Sequence, residues 1–182
     1  MKTLITEDQL RAGIRSFAEK IQQHYQGRPL TLVGVMVGSI MLLADLIRFL
    51  DLPMRIEIVQ ARTQPHGLRS GPLVLNGDVL ASSILNRHVL VVDDIFDTGR
   101  TLWDLIPQID DLGPISVRIA VLLQKEGRRE VPLKPDFTAF TIPNEFVVGY
   151  GLDYCDKYRN LPYIAALEPQ EMEEAEGKSA AP

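Results

Sequence analysis

The chain has 182 residues, 46% hydrophobic and 24% charged, the composition of one globular domain with a substantial core; this excludes a disordered chain, a collagen and a disulfide scaffold. Its 24 acidic against 19 basic residues give a net charge of −5, which argues against sequence-independent nucleic-acid binding. Cys155 is the single cysteine, so no internal disulfide can form and a reducing, cytoplasmic setting is expected.

Thr6 followed by Gln9 is a capping-box pattern, and Leu10, Ile14, Phe17 and Ile21 recur at helical spacing, predicting an amphipathic helix over residues 7–23. Glu7 and Asp8 in a first decad without an apolar core are unlike a secretory signal. Residues 30–36 are an apolar run without alternation, as in a strand covered on both faces, and 39–50 read as a helix. Gly34, Gly38, Ser39, Asp45 and Arg48 interrupt this stretch, so it is not a membrane span. Further strands are expected at 54–60, 88–92 and 115–123, with a helix at 101–110. Strands alternating with helices define an α/β domain with a central parallel sheet flanked by helices, whose ligands sit at the carboxyl ends of the strands.

Residues 62–71, with Pro65, Gly67, Ser70 and Gly71, read as a long loop or lid. Short strands at 137–141 and 146–150 are candidates for a small accessory subdomain. The folded domain is placed at 1–167. Residues 168–182 hold five Glu and one Lys, carry most of the net charge, and read as a disordered tail. His24, His66 and His88 match no metal-ligand spacing, and Trp103 reads as a packing or subunit-contact residue.

Residues 89–101 read Val-Leu-Val-Val-Asp-Asp-Ile-Phe-Asp-Thr-Gly-Arg-Thr. An apolar strand delivers Asp93, Asp94 and Asp97 to its carboxyl end. Acids this close repel one another unless they are solvated, or unless cations and hydroxyl donors meet them; a Mg²⁺-bound polyol phosphate supplies both. Thr98, Gly99, Arg100 and Thr101 then present backbone N–H groups and two hydroxyls at a helix N-terminus, a phosphate cradle. Taken singly, each residue also fits an Asp-rich helix cap. The chain lacks the Gly-x-x-x-x-Gly-Lys-Ser/Thr and Gly-x-Gly-x-x-Gly patterns of triphosphatases and dinucleotide binders.

Together these residues resemble the signature of the phosphoribosyltransferases that bind phosphoribosyl pyrophosphate. Residues 32–39 followed by Ala44-Asp45-Leu46 look like the family's first pyrophosphate-binding loop, and residues 146–162, Phe-Val-Val-Gly-Tyr-Gly-Leu-Asp-Tyr-Cys-Asp-Lys-Tyr-Arg-Asn-Leu-Pro, closely match the hypoxanthine-guanine branch. The resemblance runs over residues 30–167. It implies the type I fold, with an accessory hood from terminal segments, and Mg²⁺-dependent purine salvage: phosphoribosyl pyrophosphate and a 6-oxopurine base give a nucleoside monophosphate and pyrophosphate.

Carried over residue by residue, the resemblance makes Asp93 and Asp94 the acids for ribose hydroxyls and metal, Asp153 the second metal acid beside the purine, and Asp97 the general base. The segment from Asp97 to Thr101 would hold the 5′-phosphate, and Gly38, Ser39 and Arg159 the pyrophosphate. Lys125, Phe146 and Val147 would bind the purine, with Lys125 donating to its 6-oxo group and so disfavouring adenine. The sequence departs from the family in three places: Asp93 stands where Glu is usual, Val37 where Lys is usual, and Arg62-Thr63 near the usual Ser-Tyr lid pair. Arg62 or Arg69 would then be the lid's charge for pyrophosphate. Family analogy implies a homodimer or homotetramer, with no nucleic-acid or membrane partner. The alternative left open is a regulatory protein that senses phosphoribosyl pyrophosphate with little or no transferase activity.

Overall fold

A short strand, β1 (Lys2–Ile5), leads into α1 (Glu7–Tyr25), which begins at the anticipated capping box: the Gln9 amide donates to Thr6 Oγ1 at 3.3 Å and the Thr6 amide to Gln9 Oε1 at 2.9 Å. Next come β2 (Leu30–Met36), α2 (Ile40–Phe49), β3 (Met54–Gln60), α3 (Gly77–Ile84), β4 (His88–Phe96), α4 (Arg100–Asp110) and β5 (Ser116–Lys125). The chain closes with β6 (Phe137–Ile142), β7 (Val147–Val148), β8 (Ile164–Ala166) and α5 (Pro169–Gly177). This computed structural model describes residues 1–60 and 77–177; the lid reading, with Arg62, Thr63 and Arg69, lies outside the described residues.

The main sheet has the order β3-β2-β4-β5-β6, all neighbours parallel. Its central strands are apolar on both faces because both are covered. On β2, Leu30 and Leu32 pack in the cluster beneath α1 and α2, while Val33 and Val35 pack in the one beneath α3 and α4. The same division separates Leu90 and Val92 from Val89 and Val91 on β4, and Ala120 and Leu122 from Ile119 and Val121 on β5. The result is three layers, with this five-stranded sheet between two layers of helices.

A second sheet, β1-β8-β7, is antiparallel and joins the two ends of the chain, Lys2 opposite Ala166. This is the hood. Residues 137–142 do not belong to it: β6 pairs in parallel with β5, Ala120 opposite Phe137, and completes the edge of the main sheet. Nor is the tail disordered from Glu168. Pro169–Gly177 is helical, with Ala175 buried, the Lys157 ammonium donating to its carbonyl at 2.9 Å, and the Met1 ammonium paired with Glu171. Residues 178–182 lie outside the described residues. No described helix is long and apolar enough to cross a membrane.

Candidate active site

In the order β3-β2-β4, the chain leaves β2 toward one side and returns to β4 on the other, so the loops after β2 and β4 diverge and open a crevice at their carboxyl ends. Both anticipated binding loops lie there. The β2–α2 loop passes through a cis Met36–Val37 peptide to Gly38. A Cβ on Gly38 would stand 1.6 Å from Asp94 Oδ2, and a Cβ on Gly151 would stand 2.2 Å from the Gly38 carbonyl oxygen. Three segments distant in sequence thus meet where side chains would collide, which fixes the loop against the acids of β4 and against the hood. Ser39 is fully buried and its hydroxyl donates to the Val35 carbonyl at 2.6 Å, so a ligand contact from Ser39 falls to its backbone N–H at the start of α2.

Asp93 and Asp94 sit side by side near the end of β4, the Asp94 amide donating to Asp93 Oδ1 at 3.0 Å. Asp93 is 7% exposed. Burial, followed by the charge of Asp94, pushes the Asp93 carboxyl well above the usual carboxylate range. Burial also raises Asp94, against hydrogen bonds and the Arg159 charge that favour its ionised form. Arg159 joins this pair electrostatically to the hood: its Nη2 lies 2.8 Å from Asp153 Oδ1 and its Nη1 donates to the Gly151 carbonyl at 2.8 Å. Among the described residues no three His, Cys, Asp or Glu side chains gather at metal-binding distance, so Asp93, Asp94 and Asp153 do not form one common cage.

The turn into α4 is set by Gly99, whose φ of 83° is left-handed and whose Cβ would meet Phe96 and Val131 at 2.6 and 2.7 Å. Gly99 is the N-cap residue, so neither Asp97 nor Thr98 occupies that position. Thr98 Oγ1 accepts only a long bond from the Arg100 amide at 3.4 Å, and Thr101 follows in the first turn. The Arg100 guanidinium pairs with Glu130 at 2.6 Å, so this residue offers the turn its backbone.

Asp97 holds a cation on each oxygen: Lys125 Nζ at 2.9 Å from Oδ2 and Arg128 Nε at 2.9 Å from Oδ1. Partial burial favours its neutral form, but the two pairings outweigh it and hold the carboxyl below the usual range. Lys125 is 9% exposed and also lies 5.9 Å from the centre of the Phe146 ring. Phe146 is 41% exposed, and Tyr154 meets it edge-on, the centroids 4.9 Å apart and the planes at 74°. Val147 is buried in β7 beside it.

The expected residues therefore form two connected groups, one around Asp93, Asp94, Gly38, Arg159 and Asp153, the other around Asp97, Lys125 and Phe146. Sequence reasoning missed Arg128 and Tyr154. Arg128 had one signal: it follows Lys125 by three residues across Gly127, whose φ of 67° turns the chain back on itself. Tyr150 was also missed; its hydroxyl donates to Asp45 of α2, tying the hood to the helix after the β2–α2 loop.

The chain matches the phosphoribosyl transferase domain family over residues 4–155. It is 38% identical over 169 residues to the hypoxanthine-guanine phosphoribosyltransferase of Streptococcus pneumoniae, covering 93% of this chain and 94% of that protein. Among solved structures it resembles a hypoxanthine phosphoribosyltransferase from Staphylococcus aureus, at 34% identity and a TM-score of 0.83 over 93% of this chain and 92% of that one. A variant of the Trypanosoma cruzi hypoxanthine phosphoribosyltransferase, in a ternary complex with substrates, is 37% identical with a TM-score of 0.85, covering 94% and 97%. The fold and crevice define a type I phosphoribosyltransferase, and the chain belongs to the hypoxanthine-guanine phosphoribosyltransferase family.

Proposed function

We propose that the chain transfers the 5-phosphoribosyl group from phosphoribosyl pyrophosphate to hypoxanthine, guanine or both, releasing pyrophosphate and forming the purine nucleoside monophosphate. One observation carries the reading: Lys125 is shared between Asp97 and the face of Phe146. A purine stacked on Phe146 brings its 6-oxo oxygen to the Lys125 ammonium and its imidazole edge to Asp97. Lys125 then passes from Asp97 to the base, which relieves one of the two pairings that keep Asp97 weakly basic, while Arg128 continues to orient the carboxylate. Adenine offers an amino group where the ammonium needs an acceptor and is disfavoured.

In the transfer the anomeric carbon loses its bond to pyrophosphate oxygen and gains one to purine nitrogen. Asp93 and Asp94 take the ribose hydroxyls, and Asp97 accepts the imidazole proton. The amides of Thr98 to Thr101 hold the 5′-phosphate; those of Gly38 and Ser39, with the Arg159 guanidinium, hold the departing pyrophosphate. Two adjacent hard oxygen donors, Asp93 and Asp94, fit Mg²⁺, whose shell substrate oxygens and water would complete, and Asp153 would serve a second ion beside the purine. Bound Mg²⁺ supplies charge neutralisation to pyrophosphate as its bond breaks. Self-association as a homodimer or homotetramer and residence in the cytoplasm are part of this reading. Its test is labelled hypoxanthine or guanine with phosphoribosyl pyrophosphate: nucleotide should form with Mg²⁺ and cease on chelation, and no nucleotide under either condition overturns it.

A further inference from the structure

At the end of the sheet opposite the crevice, the amino ends of β2, β3 and β4 border a cavity of about 520 Å³. Seven residues of β2 separate the two ends, about 20 Å at the rise of a strand. Arg28, Arg55 and Arg87 line the cavity, with Pro29, Pro53 and Met54 as an apolar wall, and no lining residue is acidic. In a chain of net charge −5, three guanidinium groups gathered without a carboxylate are against the general balance.

Two of the three are held in place by neutral acceptors. Arg87 is half-buried; its Nε donates to Thr31 Oγ1 at 3.0 Å and its Nη2 to the Leu30 carbonyl. Thr31 is fully buried, and its hydroxyl in turn donates to the Ser83 carbonyl at 2.6 Å. Arg55 Nη1 donates to the Ser82 carbonyl at 2.8 Å. These bonds orient the forks without neutralising them. Among the described residues none of the three arginines has a carboxylate at salt-bridge distance. Burial, and after it the charge of Arg55, lowers the pKa of Arg87, the signature of a cation lacking its counter-charge.

We propose that this cavity is a second ligand site, for a small molecule carrying a di- or triphosphate group that lies across Arg28, Arg55 and Arg87. The N–H groups of Arg87 and Arg55 left over from these bonds, together with the guanidinium of Arg28, are donors for phosphate oxygens, and three positive charges match a polyphosphate better than a single carboxylate. The apolar wall of Pro29, Pro53 and Met54 is the surface on which an attached organic group would rest.

The test is an amide-resolved NMR titration of the full chain with inorganic tripolyphosphate and, separately, ATP at constant ionic strength. Amides of Gly27, Arg28, Arg55 and Arg87 should shift saturably, and Arg28→Gln/Arg55→Gln should weaken that response at least ~10-fold while leaving transferase turnover unchanged. Both replaced side chains are exposed, so the fold should survive, and unchanged amide dispersion elsewhere checks it. Tighter binding of ATP than tripolyphosphate assigns the site to a nucleotide; equal affinity assigns it to inorganic polyphosphate. Absence of saturable shifts at these amides, or equal affinity in the double variant, overturns the proposal.

Discussion

Lys125 Nζ lies 2.9 Å from Asp97 Oδ2, an ammonium and a carboxylate 28 positions apart that meet at the carboxyl ends of β5 and β4. If Asp97 is the general base, Asp97→Asn keeps the size and loses the proton acceptor. Turnover should fall about 10²–10⁴-fold, with phosphoribosyl pyrophosphate affinity within about threefold of wild type. Single-turnover kinetics beside equilibrium binding reads both quantities.

The cations on Asp97 make the acid limb of the pH–rate profile adjustable. Asp97 is held below its ordinary value of 3.8, so the ion pairs contribute stability above that pH and lose it as the pH falls through the lowered folded value. Arg128→Gln removes one partner. The acid limb of kcat/KM and the acid-unfolding midpoint should both move to higher pH, and Arg128→Lys should restore part of each shift.

Lys125 also sets the purine choice in this account. Lys125→Gln replaces an obligatory donor with a side chain that can also accept from an amino group. The kcat/KM for hypoxanthine should drop about 10- to 100-fold while the ratio of hypoxanthine to adenine narrows. Steady-state kinetics with both bases checks this.

The raised Asp93 carboxyl implies a trade between stability and function. A carboxyl whose folded pKa is raised stabilises the protein below the ordinary value of 3.8, and that contribution is lost as pH rises toward the folded pKa, leaving at neutral pH the cost of burying the Asp93 charge and, after it, repulsion from Asp94. Asp93→Asn should therefore raise the Tm of the ligand-free protein, by roughly 2–4 °C for each kcal/mol of that cost relieved, and weaken Mg²⁺-dependent substrate binding. Scanning calorimetry at pH 5 and pH 8 should find the larger gain at pH 8.

Helix α5 reaches Phe146, the proposed purine platform, through Tyr154, whose hydroxyl donates to Glu176 while its ring meets Phe146 edge-on. Removing residues 168–182 frees Tyr154 from Glu176 and leaves Lys157 without the Ala175 carbonyl. The KM for the purine should rise several-fold, that for phosphoribosyl pyrophosphate should stay unchanged, and Tm should fall, by roughly 2–4 °C for each kcal/mol of stability lost. Glu176→Gln should reproduce the KM effect in smaller measure.

The parallel sheet and the crevice were legible because β2, β4 and β5 are apolar on both faces and the acids cluster at one strand end. Residues 137–141 were legible as a strand, yet the sheet they join was not. The connection from β5 to β6 carries no helical pattern, so nothing in it signals a parallel crossover. Strands of four and three residues, β1 and β8, lie below what periodicity can register, and their pairing spans the whole chain. Helix α5 is acidic and weakly amphipathic; its order comes from tertiary partners, the Met1 ammonium and Lys157 among them, which composition does not encode. Arg128 escaped for a similar reason: a turn at Gly127, rather than proximity in sequence, returns it to Asp97 31 positions away.

Asp97, Lys125 and Phe146 are proposed to form a site for phosphoribosyl transfer to 6-oxopurines. Pyrophosphate release from phosphoribosyl pyrophosphate and Mg²⁺, measured separately with hypoxanthine, guanine, xanthine and adenine, tests it most directly. Pyrophosphate should be released with hypoxanthine or guanine, and at least ~100-fold less with adenine. Silence with all four bases, or adenine equal to the best of them, would contradict it.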